Sequence, residues 1–146
     1  MNKTGISPVQ WSGVNTKTLT TSYVASDAID ISFAKRGTLF PYYTAGAGTT
    51  TNQVDFYFEI NPLDSVTDPT NLYWSQLGIY TDSTGTWSKE AAHYVITQGT
   101  ASTQLNCIPI FITQLDALQF RVQTKEVQNQ ATAGVIKFEF GKNSII

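Results

Sequence analysis

One histidine, one cysteine and eleven carboxylates are the residues of this chain that could carry catalysis or hold a metal. His93 alone rules out a multi-histidine metal site and leaves any triad a single candidate base. The hydroxyl and acid nearest to it, Ser88 and Glu90, do not form a triad pattern. His93 therefore reads as a partly exposed strand residue. Cys107 has no second cysteine for a disulfide or a metal knuckle, and beside Ile108 it reads as a small buried apolar residue. Asp55 and Glu59 share the polar face of one strand. At ~3.3 Å per residue they stand about 13 Å apart, too far for a retaining glycosidase pair. Asp30 or Glu139 on a neighbouring strand could lie closer, but nothing in the sequence selects them. Asp64 and Asp68, with Asn61 and Asn71, supply oxygens of the kind calcium takes. They lack EF-hand spacing, and Asx residues in a proline-containing loop ordinarily make their own turns. Gly46 and Gly48 in AGAGTTTN lack the Lys-Ser/Thr that completes a phosphate loop. The expectation is no catalytic residue, no cofactor and no metal.

Aromatic residues are the remaining chemistry. Trp11, Trp74, Trp87, Tyr57 and Tyr73 could offer ring faces to a sugar or to a protein. Tyr57 stands out because it sits on the polar side of its strand, between Asp55 and Glu59. Such a ring must be exposed, covered by a second layer or buried at a subunit contact. Exposed aromatics on a weakly charged surface more often mark protein contacts.

Composition narrows the partners. The chain has 146 residues, a formal net charge of -2 and only 14% charged residues. A weakly acidic surface argues against direct nucleic-acid binding, which normally needs a basic face. Lys35 and Arg36 read as a solvated loop pair. No apolar run approaches the ~20 residues of a membrane helix. The N-terminal MNKTGISPVQWSG has no hydrophobic core of a secretory signal.

The elements that must position these residues are strands. Residues 1–13 read as an N-terminal arm, tied down by Val9 and Trp11 or carried to a partner. Residues 14–146 read as one domain. Ile29, Ile31 and Phe33 alternate with polar residues, and Ala34 to Gly37 reads as a turn. Val54, Phe56, Phe58 and Ile60 form the strongest strand, expected at the centre of a sheet. Pro41 and Pro109 mark strands that lie at an edge or are interrupted there. Asn61 to Asn71 is an Asx/Pro loop, and Asp82 to Gly85 turns a hairpin. Leu118 to Phe140 reads as a long hairpin. Phe120 and Val122 in one arm, and Ile136, Phe138 and Phe140 in the other, point inward.

About eight to nine strands at regular spacing, with no convincing helix, predict an all-β antiparallel sandwich. Connections long enough to cross between sheets favour a jelly roll. The segment ITQLDALQFRVQTK, a polar loop and GVIKFEFG resemble the C-terminal part of small all-β virion proteins of tailed bacteriophages. The resemblance covers about the last third of the chain; the rest is similar in its Thr/Ala/Gly-rich loops. It implies a non-enzymatic structural subunit in a virion, made in the host cytoplasm, as a capsid decoration or a neck, tail or fibre component. Its partners would be copies of itself and other virion proteins. The candidate contact residues are Trp11, Tyr42, Tyr43, Tyr57 and Trp87. The second reading is a carbohydrate-binding module that meets a host-surface glycan through its Trp and Tyr faces.

Overall fold

The computed structural model describes residues 2–32, 34–47, 52–70, 72–83, 86–91, 93–98, 104–106, 109–112, 115, 117–128 and 130–145. Its strands in chain order are β1 (Asn2–Pro8), β2 (Lys17–Thr18), β3 (Val24–Ala25), β4 (Ile29–Asp30), β5 (Ala34–Thr44), β6 (Asn52–Asn61) and β7 (Ser75–Gln76). Then come β8 (Gly78–Ser83), β9 (Thr86–Ala91), β10 (Tyr94–Gln98), β11 (Gln104–Asn106), β12 (Ile110–Ile112), β13 (Gln119–Glu126) and β14 (Val135–Ile145). The described residues contain no helix.

Two antiparallel sheets hold all of these strands but β8 and β9, which pair with each other as a separate hairpin. The first runs β1-β14-β5-β11, with β12 continuing the edge beside β5. The second runs β10-β6-β13-β3, with β4 continuing the edge beside β13. If β1/β2, β3/β4 and β11/β12 each count as one broken strand, and β7 and the β8–β9 hairpin are set aside, the pairing is nested. The first strand pairs with the last, the second with the next to last, and so inward to β6 with β10. That wrapping is the jelly roll. β6 lies between β10 and β13, at the central position its alternation predicted.

The inner faces follow from period-two patterning. Val54, Phe56 and Phe58 of β6, Phe120 and Val122 of β13, and Ile136, Phe138 and Phe140 of β14 are all buried. Rings meet across the sandwich: Phe56 and Phe138 edge to face at 5.0 Å, Phe120 and Phe140 stacked at 4.8 Å. The expected hairpin Leu118–Phe140 is not one. β13 belongs to the second sheet and β14 to the first, so the connection arches over the core. The alternation is the same for two strands that pair and for two that face each other, so only the partner was misread.

The N-terminal segment is not a free arm. β1 pairs with β14 from Asn2↔Ile145 to Pro8↔Glu139. Past it, Trp11 and Val14 exchange backbone hydrogen bonds around Ser12 and Gly13, both with positive φ (49° and 79°). This is a two-residue turn of the primed type. The Asp27 carboxylate accepts the N–H of Ser12 and of Gly13, each at 2.9 Å, and pins that turn to the domain.

Ala34 to Gly37, expected as a turn, is the start of the long strand β5. Pro41 sits inside β5, which is central. It is tolerated because the neighbouring strand breaks there. β11 ends with Asn106 opposite Tyr42, and β12 begins with Ile110 opposite Leu39. A missing N–H has no ladder partner to disappoint at such a gap. Leu115 is turned inward, as its sequence predicts. Phe33 and Cys107 lie outside the described residues.

One end of the sandwich closes on small residues and a buried carboxylate. Glu126 accepts the Gly134 N–H at 2.9 Å, and its own N–H donates to Thr20. Gly46 lies under the backbone of Thr132, where an added Cβ would come within 1.8 Å of the carbonyl oxygen. Gly46→Ala should therefore force the β5–β6 and β13–β14 connections apart, costing about 1–3 kcal/mol. Chemical denaturation of the two proteins measures this directly.

The Asn61–Asp68 loop folds through its Asx side chains. Asp64 accepts the Val66 and Thr67 N–H groups, and Asp68 accepts those of Leu72 and Tyr73. The Asn61 amide donates to Asp68 at 2.7 Å, and Asp68 is only 2% exposed. Burial pushes the Asp68 carboxyl upward. The Leu72 and Tyr73 N–H groups, the Asn61 amide and the Arg121 charge outweigh it, and the net shift is downward. A depressed carboxyl stabilises the fold above the ordinary carboxylate range, and this is lost as pH falls through the lowered value. Asp68→Asn should lower the melting temperature at neutral pH and flatten the loss of stability below about pH 4. Thermal melts across an acid series would show whether the two proteins converge.

Candidate interaction faces

The outer face of the second sheet carries the densest polar and aromatic constellation among the described side chains. β6 turns Asp55, Tyr57 and Glu59 outward. β13 sets Lys125, Gln123 and Arg121 opposite them in register. His93 immediately precedes β10, whose Tyr94 pairs with Phe56, so His93 arrives beside Tyr57. The ring centroids of Tyr57 and His93 lie 5.2 Å apart. Tyr23, just before β3, packs edge to face on Tyr57 at 4.8 Å.

Asp55 organises this group. Tyr23 donates its hydroxyl to Asp55 Oδ2 at 2.8 Å, and His93 Nδ1 lies 3.1 Å from Asp55 Oδ1. A carboxylate accepts, so the His93 Nδ1–H donates to it and the ring is held in place from that side. Nε2 faces the Gln76 amide at 3.5 Å. Burial, the hydrogen bond to Asp55 and the charge of Asp55 all push the Tyr23 phenol well above its ordinary value. Burial and the charges of Glu59 and Asp55 raise Tyr57, against the opposing Arg121. Both phenols therefore remain hydrogen-bond donors at neutral pH.

The neighbouring row is ionic. Arg121 pairs with Glu59, which also accepts from Gln123 at 3.1 Å. The Arg121 guanidinium lies over the Trp74 ring at 4.2 Å, and the Lys125 ammonium over Tyr23 at 4.7 Å. Two carboxylates face two cations, so the surface is locally balanced. Asp55 and Glu59 do share one face, as their spacing predicts, but each is committed to a different partner. Among the described residues no group of three His, Cys, Asp or Glu side chains is placed to hold a metal ion.

The outer face of the first sheet carries an apolar row beside charged groups. Ile6 of β1 pairs with Gly141 of β14, Gly141 with Thr38 of β5, and Thr38 with Phe111 of β12. These four residues form one row across the sheet. At its two ends Ile6 is 67% and Phe111 76% exposed. Between them Gly141 has no side chain, and the space over it is bordered by Ile6 and Phe40. Tyr42 lies on the same outward face, with the Lys137 ammonium 5.6 Å from its ring centre. Lys137 in turn pairs with Glu139 at 3.2 Å.

The candidate contact residues therefore divide. Tyr42 is on the outer face of the first sheet and Tyr57 on that of the second. Tyr43 is fully buried, and Trp11 is 5% exposed with its ring 6.1 Å from Phe138. Both pack in the chain's own core. Tyr43 follows Tyr42 on a strand, so one of the two must point inward. Burial pushes the Tyr43 phenol up to about 12, with Glu126 adding to the effect. Trp87 falls in β9, and its side chain lies outside the described residues. Sequence reasoning missed the part played by His93, Tyr23 and Gln76. The outward parity of Asp55 and Tyr57 was readable. The register that brings a histidine 38 residues away to Asp55 was not.

No family model matches the chain, and no curated protein matches it. Among solved structures it is similar to the SPBc2 prophage-derived protein YomS, at 6% identity and a TM-score of 0.45, covering 99% of this chain and 96% of that one. It is also similar to a Desmodium yellow mottle tymovirus chain (12% identity, TM-score 0.32, 100% and 89% covered) and a turnip yellow mosaic virus chain (8%, 0.25, 100% and 82%). Scores this low carry no inference, and the jelly-roll assignment stands on strand order alone.

Proposed function

We propose that the protein is a non-enzymatic structural subunit of a virus particle that acts by assembling with copies of itself. The observation that carries this reading is the row Ile6–Gly141–Thr38–Phe111 on the outer face of the first sheet. Two large apolar side chains stand in water there, at opposite edges of one sheet, with a side-chain-free site between them. A monomer gains nothing from exposing them. Burial of such side chains is worth about 1.5–3 kcal/mol each.

The occupant of this face is a second copy of the chain. Knob and hollow lie in the same row, so a two-fold-related copy laid face to face sets Phe111 of each subunit over Gly141 of the other. That is the self-complementarity an isologous contact requires. Tyr42 extends the same face. β1 leaves one backbone edge unpaired, a second place where a neighbouring chain can join. The location within a particle that suits this geometry is a repeated one: decoration, neck, tail or fibre.

Light scattering tests the reading. The wild-type protein should form a defined oligomer at micromolar concentration. Phe111→Asp and Ile6→Lys should each weaken it at least about tenfold, with melting of the monomer unchanged because both side chains are exposed. It should also co-purify with a virus particle at fixed copy number. A wild-type protein that stays monomeric and has no affinity for any particle overturns the reading.

A further inference from the structure

We propose that the outer face of the second sheet is a saccharide-binding site centred on Tyr57 and His93, independent of the assembly face. Three observations converge there. The first is an aromatic platform. The Tyr57 ring is half-exposed in the middle of the sheet, held by Tyr23 at 4.8 Å and His93 at 5.2 Å. A pre-set ring of this kind suits the C–H face of a pyranose.

The second is a ring of planar polar groups at fixed orientation. Asp55 orients the His93 ring through Nδ1, and beside Nε2 at 3.5 Å stands the Gln76 carboxamide, which both gives and takes hydrogen bonds. Gln123 stands opposite Tyr57 in register and is held by Glu59. An acceptor and donors around one aromatic ring match vicinal hydroxyls, each of which both gives and takes a hydrogen bond. The third observation is electrostatic. Asp55 and Glu59 are matched by Lys125 and Arg121, both drawn onto this face. A balanced surface does not select phosphate, sulfate or carboxylate ligands. Flat, partly aromatic, rich in oriented polar groups and without net charge, the face fits a neutral oligosaccharide.

An array of neutral oligosaccharides ending in glucose, galactose, mannose or N-acetylglucosamine tests this, with sialylated and sulfated glycans beside them. At least one neutral saccharide should bind and shift tryptophan fluorescence, since Trp74 adjoins the site through Arg121. Tyr57→Ala and His93→Ala should weaken that binding at least about tenfold. Gln76→Ala and Gln123→Ala, at surface positions that leave the core intact, should weaken it too, and Tyr57→Trp should retain it. Light scattering should show the same oligomer for all these variants, which separates this site from the assembly face. Failure of every neutral saccharide to bind overturns the proposal. So does preference for the acidic glycans, or full binding by folded Tyr57→Ala.

Discussion

The fold depends on ring contacts between two sheets whose backbone ladders are separate. Phe56 meets Phe138, and Phe120 meets Phe140, across the middle of the sandwich. In the middle of the sandwich β6 and β13 meet β14 through these side chains and their apolar neighbours. Each sheet has its own backbone ladder, but a sheet with one greasy face is unstable in water until something covers it. The two inner faces cover each other. Everything outside the core is a consequence, because strand alternation then dictates which residues the two outer faces receive.

Those outer faces received different chemistry. On β5 and β14 the outward positions hold Thr38, Phe40, Tyr42 and Gly141, together with Arg36 and the ion pair Lys137–Glu139. On β6 and β13 every outward position from Asp55 to Glu59 and from Arg121 to Lys125 is polar or a tyrosine, and most are engaged in hydrogen bonds or ion pairs. One scaffold thus separates a surface suited to lasting burial against protein from one suited to reversible contact with a hydroxyl-rich ligand. The separation is physical: a sandwich about two sheets thick, roughly 10 Å between layers, keeps the two faces from competing for one partner.

Most of the fold was legible because it is written with period two. Val54 to Ile60 and Ile136 to Phe140 declare their buried sides residue by residue, and β6 is central as expected. Pairing was less legible. Alternation in 118–126 and 135–140 says that each strand covers a core, but not that the two lie in opposite sheets. Pro41 misled in part. It indicates that a ladder is broken, and the broken strand is the neighbour of β5. The site was legible only in halves. Asp55 and Tyr57 show their outward parity in the sequence. His93 and Tyr23 join them through registers set by distant pairings, for which local sequence holds no signal.

The nested pairing also dictates an order in time. β1 has its partner in β14, the last strand of the chain, and the two are matched from Asn2↔Ile145 onward. No early segment can complete the first sheet by itself, since β6, β7, β10 and β13 of the second sheet lie in sequence between its inner strands, β5 and β14. Contacts of such long range make loop closure the slow step and favour a single late, cooperative transition. A chain emerging from the ribosome would hold its apolar strands uncovered until β14 arrives. In that interval its strand edges and Phe-rich inner faces are open to other copies of the same chain.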